Sequence, residues 1–175
     1  YFIKKFEELN PDENFVIVPE ALNRFYLKDL SGRVGASWMT TEDREHEIND
    51  YILYLDNVYE TLILQKTAKI VGLGFSQGAA TMARWALKTS KHLNQLVFWG
   101  GSIPNDCLNN ISRLNSYHPY LLVGDEDEFI TKEKREEVMK GLDNVGLTFS
   151  HIFYKGGHAI LTEPLMQLSS ELTKS

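Results

Sequence analysis

One serine, set where a strand runs straight into a helix, constrains this chain more than any other feature. Lys69-Ile70-Val71-Gly72-Leu73-Gly74 reads as an apolar strand, and Gln77 to Lys88 (QGAATMARWALK) reads as a helix rich in small residues. Between them the chain spells Gly74-Phe75-Ser76-Gln77-Gly78, a G-x-S-x-G segment. So abrupt a passage forces a sharp turn at the serine, strains its backbone and lifts its hydroxyl clear of the sheet. Side chains at the flanking positions would collide with strand and helix, so glycine is expected there. Ala79 and Ala80 extend the small surface where helix meets sheet. Other glycine motifs do not fit: the spacing is not G-x-G-x-x-G, and no G-K-[ST] follows.

The same alternation runs through the rest of the chain. Phe2, Ile3, Phe6 and Leu9 share one helical face, and Asn10-Pro11-Asp12 ends that helix. Phe15 to Val18 is an apolar run closed by Pro19 and reads as a buried strand. Residues 20–40, with Gly32 and Gly35 and little periodicity, read as a long loop. Ile48, Tyr51, Ile52, Leu55, Val58, Tyr59, Leu62 and Ile63 make the apolar stripe of a helix over 42–65, which Thr40 or Thr41 can cap. Beyond the serine, strands are expected at 95–99, 119–123 and 147–154, with helices at 132–142 and 163–172. Strands alternating with helices predict a mostly parallel sheet covered on both faces.

At 175 residues the chain suits a single domain over 1–175, and 43% hydrophobic residues suffice for an ordinary core. A net charge of −6 argues against a nucleic-acid binder, which needs a basic face. The longest apolar runs fall short of the 18 or so residues of a membrane span. Cys107 is the only cysteine, so no internal disulfide forms and a small buried hydrophobe is expected. With no secretory signal visible, a cytoplasmic location is expected. The first residue is Tyr1, not Met, so further residues are expected upstream.

A serine hydroxyl needs a base, and the base needs an orienting partner. His46 lies on the polar side of the long helix, His92 near a helix end, His118 at a strand entrance and His151 inside a strand. His158 differs: it follows the last strand in a glycine-rich loop, Lys155-Gly156-Gly157-His158. The acid is sought after an earlier strand, where Leu121-Leu122-Val123 leads into Gly124-Asp125-Glu126-Asp127-Glu128. As a calcium loop this lacks the turn glycine of an EF-hand. As a source of one orienting carboxylate it offers Asp127 or Asp125, with Asp127 preferred. Serine, acid and histidine each fall just past the C-terminal end of a strand, the edge where open α/β sheets bind ligands. Their order, Ser then Asp then His, is that of α/β hydrolases.

These segments resemble the phospholipase/carboxylesterase family, which includes acyl-protein thioesterases and small bacterial carboxylesterases. The G-F-S-Q-G elbow stands at Gly74 to Gly78, a strand–proline–loop–tryptophan pattern at Val18-Pro19 to Trp38, and an S-G-x-L-P-like turn at Gly101-Ser102-Ile103-Pro104. The acid loop is similar over Gly124 to Ile130, which places the acid on Asp127, and the closing G-x-H on Gly156 to His158. The resemblance implies an α/β-hydrolase fold and cleavage of a small-molecule carboxylic ester or thioester through an acyl-enzyme. It implies Ser76, Asp127 and His158 as the triad, the Gln77 backbone N–H as oxyanion donor, Ile103 and Trp38 as candidate substrate contacts, and neither cofactor nor metal. Two positions depart from the pattern. Val123 stands where the family has a histidine, and no H-G-x-G loop is present, so the first oxyanion donor and the earliest strands are expected upstream of Tyr1. A serine peptidase on the same fold and a non-catalytic binding protein are the competing readings.

Overall fold

The computed structural model describes residues 2–63 and 68–174. Its centre is a four-stranded sheet, every pairing parallel, of β3 (Val71–Phe75), β4 (Gln95–Trp99), β5 (Tyr120–Gly124) and β6 (Ser150–Tyr154), in that spatial order. β4 is buried along its whole length because both its faces are covered. Successive side chains of a strand point to opposite faces. Leu96 and Phe98 therefore enter one core and Val97 and Trp99 the other.

The first core is closed by α1 (Arg44–Leu62), α2 (Gln77–Lys88), the short α3 (Asn105–Leu108) and α4 (Ile111–Asn115), and α5 (Lys132–Asn144). They contribute Ile48 and Tyr51, Ala79 and Ala83, Cys107, Leu114 and Leu142. The second core is closed by α6 (Thr162–Lys174), through Leu165 and Leu168, with Phe6 and Leu9 from the N-terminal segment packed against it. The sequence-based expectation of a parallel sheet with helices on both faces therefore holds.

The N-terminal third departs from expectation. Residues Phe2–Phe6 form a 3-10 turn and not an α-helix to residue 9. The run Phe15 to Val18 makes no strand: it has no ladder partner among the described residues, and Phe15 is 80% exposed. Residues 20–40 hold an antiparallel hairpin, β1 (Asn23–Lys28) with β2 (Ser31–Ser37). Its two-residue connection, Asp29-Leu30, has Asp29 at φ 50°, a left-handed conformation that aspartate tolerates. The hairpin is exposed on both sides, so burial imposed no alternation that periodicity would reveal. At α1 the cap position is Asp43, while Thr40 Oγ1 accepts from the Glu42 N–H. The expected end of that helix, residues 64 and 65, lies outside the described residues. No helix among the described residues is long and apolar enough to cross a membrane.

Candidate active site

Ser76 joins β3 to α2 with φ 55° and ψ −121°, a conformation costly for any residue with a Cβ. Two constraints hold it there. Its N–H donates to the Trp99 carbonyl at the end of β4 (2.9 Å), and its own carbonyl accepts from Ala79 N–H (3.0 Å). A Cβ at Gly74 would run into the Gly78 carbonyl, so glycine is obligatory where the chain doubles back. The same expectation fails at Gly78, where a Cβ would meet nothing closer than Trp38 Nε1 at 3.9 Å. Of the two glycines that flank the serine only Gly74 is crowded, while Gly101 closes on the elbow from the end of β4, where a Cβ would meet the Ser76 carbonyl.

The loop after β5 delivers Asp127, whose side chain is fully buried. Its Oδ1 accepts from the backbone N–H groups of Phe129 (2.9 Å) and Ile130 (3.0 Å), which fixes the carboxylate in place. Its Oδ2 lies 2.8 Å from His158 Nδ1. A proton on Nδ1 leaves Nε2 as the ring's acceptor. The imidazole is also held by packing, with ring centroids 4.8 Å from Phe75 and 4.7 Å from Phe129. Gly100, at φ 57°, leaves room beside the ring: a Cβ there would sit 3.2 Å from His158 Cε1.

Asp125 has a different task. Its Oδ1 accepts from Gly156 N–H (2.9 Å), its N–H donates to the Tyr154 carbonyl (2.9 Å), and Glu126 N–H donates to the Gly156 carbonyl (2.9 Å). These bonds stitch the acid loop to the histidine loop. Tyr154 Oη accepts from Trp99 Nε1 (2.8 Å) and donates to the Ala159 carbonyl (2.8 Å), bracing the residue next to His158. Burial raises the Tyr154 phenol above its ordinary value, so it remains a donor. None of the four remaining histidines lines the hollow that holds His158, although His151 stacks on Phe153 of its wall. His46, for example, is exposed and paired with Asp43 at the start of α1.

Ser76, Gln77, Ile103 and His158 line one hollow of about 350 Å³. Its walls are mostly apolar, from Leu121, Val123, Val138, Met139 and Leu142. Ser76 Oγ makes no hydrogen bond to the histidine ring among the described residues, although both groups face this hollow. Trp38 is not part of the lining. It packs against Tyr51 and Tyr54, with centroids at 6.1 and 6.4 Å. The Gln77 side chain carries a role that its place in the motif did not disclose. Its Oε1 accepts from Trp38 N–H (2.9 Å), and its Nε2 donates to the Met39 carbonyl (2.8 Å) and Ser37 Oγ (3.1 Å). It thereby pins the segment after β2 to the start of α2. Only a structure reveals such a tie, because its partners, two backbone groups and a serine hydroxyl, lie some forty positions away.

Beneath α2, Arg84 donates to both carboxylate oxygens of Asp106 (2.8 and 3.0 Å), and this guanidinium holds Asp106 below the usual carboxylate range. Burial pushes the neighbouring Cys107 thiol up to about 11, consistent with a packed, unreactive residue. Among the described residues no group of three or more His, Cys, Asp or Glu side chains is placed to hold a metal ion.

A parallel sheet carrying a strained serine elbow, with a buried acid and a histidine joined beyond its neighbouring strands, defines an α/β hydrolase. The chain belongs to the phospholipase/carboxylesterase family, which it matches over residues 10–175. Membership of that family makes it a hydrolase of the carboxylesterase kind. Among solved structures it is similar to esterase PE8 (20% identity, 80% of this chain and 70% of that one, TM-score 0.57). It is likewise similar to Zea mays acyl-protein thioesterase 2 (19%, 82% and 74%, 0.58) and to Arabidopsis thaliana SOBER1 (20%, 82% and 75%, 0.61). At these identities the likeness is one of fold. No curated protein matches the chain.

Proposed function

We propose that this chain is a serine esterase that cleaves small carboxylic esters or thioesters through an acyl-enzyme on Ser76. The observation that carries the reading is the 2.8 Å contact between His158 Nδ1 and a fully buried Asp127, made beside a serine in strained elbow geometry.

In the proposed cycle Ser76 Oγ attacks the acyl carbonyl while His158 Nε2 takes its proton. Asp127 keeps the ring in the required tautomer and stabilises the imidazolium. Gln77, the first residue of α2, offers its backbone N–H to the developing oxyanion. That N–H belongs to the set with no intrahelical partner, and the positive end of the helix dipole adds to its effect. The imidazolium then protonates the leaving alcohol or thiol as the acyl bond to it breaks. Water, deprotonated by His158, attacks the acyl-enzyme, and the proton returns to Ser76 as the acid departs. The hydrogen bond from serine to histidine forms as substrate enters, in keeping with catalytic contacts that are loose in the free enzyme.

Labelling with an active-site fluorophosphonate, followed by peptide mapping, tests the assignment. Modification of Ser76 that disappears in His158→Ala is the expected result. Ester turnover with Ser76 unmodified would remove the assignment, and a protein that neither labels nor turns over esters would be a binding module. Comparing p-nitrophenyl esters with peptide anilides separates esterase from peptidase, and the esters are expected to be cleaved.

A further inference from the structure

The hollow beside Ser76 has a charge character at odds with the chain that builds it. The protein carries 24 acidic and 18 basic residues. Yet the described lining of this hollow includes no carboxylate, and besides His158 its ionisable side chains are Lys134 and Arg135. Neither forms an ion pair among the described residues. Both stand in the first turn of α5, where the positive end of a helix dipole disfavours cations. Thr131 caps that helix by accepting from the Lys134 backbone N–H, and the lysine ammonium, a donor only, has no acceptor to serve at a helix N-terminus. The Arg135 guanidinium lies over the ring of Phe153, 4.4 Å from its centroid, and Phe153 also lines the hollow. Behind the two cations the wall is apolar, made by Leu121, Val138, Met139 and Leu142.

We infer that the site selects esters bearing an anionic group, a carboxylate or phosphate, a few carbons from the scissile carbonyl, with Lys134 and Arg135 as its receptors. This rests on the esterase reading above and adds the substrate class. The reaction stays an ordinary hydrolysis: the acyl–oxygen bond breaks, water supplies hydroxyl to the acyl group and a proton to the alcohol, and the remote anion is unchanged. A short apolar spacer suits a hollow of about 350 Å³, and the guanidinium can meet an anion through two parallel hydrogen bonds. A neutral ester of equal length fills the same space but leaves both cations unmatched.

Two substrate pairs test this. In one the anion is on the acyl side (mono-p-nitrophenyl glutarate against p-nitrophenyl hexanoate). In the other it is on the alcohol side (4-acetoxybenzoate against phenyl acetate). The anionic member of at least one pair is expected to have the higher kcat/KM, by about tenfold, chiefly through a lower KM. Which pair shows the preference identifies the side that carries the anion. Lys134→Gln and Arg135→Gln are each expected to lower that anionic-to-neutral ratio several-fold, and Arg135→Lys to retain more of it than Arg135→Gln. In the unaltered protein the ratio should fall as salt is raised from about 20 to 500 mM, because exposed charges are screened. Preference for the neutral member in both pairs, or a ratio indifferent to salt and to both glutamine variants, overturns the inference while leaving the esterase reading intact. No turnover of any of the four esters, with Ser76 unlabelled by fluorophosphonate, overturns both.

Discussion

The four-stranded sheet and the β1–β2 hairpin are both built from short strands, yet they meet opposite surroundings. In the sheet, β4 is buried from Gln95 to Trp99 and passes its side chains alternately into two cores. In the hairpin every residue of β1 is exposed, and Leu30 at the tip is 90% in water. Strands of the first kind owe their place to burial on both faces. The hairpin is held by its own ladder and by ties at its base, where Gln77 grips Trp38 and Met39 and where Asn23 Nδ2 donates to Glu47 Oε1 (2.7 Å). Buried strands set positions to within a fraction of an ångström, which catalytic groups need. Ser76, Asp127 and His158, the proposed catalytic groups, follow the ends of β3, β5 and β6, and none lies on the hairpin.

If that contrast is real, changes in the two regions should differ by orders of magnitude. The largest effect is expected at the sheet's C-terminal edge. Asp127→Asn should lower kcat for a p-nitrophenyl ester by about 10⁴-fold, as loss of the orienting acid does elsewhere. Asp125→Asn loosens the stitch between two loops and should cost far less in kcat. Equal losses would dissolve the distinction between the two carboxylates.

Within the sheet, Leu122 is fully buried between β4 and β6. Leu122→Ala should destabilise by about 3 kcal/mol in urea unfolding, through lost burial and the cavity left behind. A loss below about 1 kcal/mol would show that the second core is looser than its packing indicates.

The Arg84–Asp106 pair sits between these regions in exposure. Nearly half of the Asp106 side chain meets water, so Asp106→Asn should cost only about 1 to 2 kcal/mol at pH 7. Because Arg84 lowers the Asp106 value in the folded state, the contribution is complete above the unfolded carboxyl's pKa of about 4. It is lost as pH falls through the lower folded value. The stability difference between parent and variant should therefore shrink on acidification below about pH 4. A gap that widened in acid would reverse the sign of the linkage.

The smallest effect is expected at the hairpin tip. Leu30→Ser should change stability by less than about 0.5 kcal/mol, the ordinary result for an exposed site. A large loss there would mean that the tip is covered by something in solution.

The same contrast explains what could be read from residues alone. The strands at 95–99 and 120–124 are legible as apolar runs because both of their faces are buried, and 71–75 because its glycines fill the buried face while Val71, Leu73 and Phe75 keep the other apolar. The elbow was legible because a strand abutting a helix permits few backbones. Asp127 is preferred to Asp125 partly through the resemblance of the acid loop, since both follow β5; the three-dimensional arrangement shows Asp127 meeting His158 and Asp125 meeting Gly156. The hairpin was missed because strands exposed on both sides carry no hydrophobic period, and Asp29-Leu30 lacks the glycine that usually advertises a two-residue turn. The apolar run at Phe15 to Val18 misled for the opposite reason. An apolar sequence makes a strand only where a partner edge exists, and none pairs with it among the described residues. The grip of Gln77 on the segment after β2, and the cations at the rim of the hollow, depend on contacts between distant segments that no local pattern encodes.

The central claim is that Ser76 and His158 act as one unit although no hydrogen bond joins them in the free protein. Measuring kcat for a p-nitrophenyl ester in Ser76→Ala, in His158→Ala and in the double variant tests it directly. Residues that work as a unit are lost together. All three proteins should retain the same small residual rate, several orders of magnitude below the parent. A double variant markedly slower than either single one, or a His158→Ala enzyme of near-parental rate, would contradict the account.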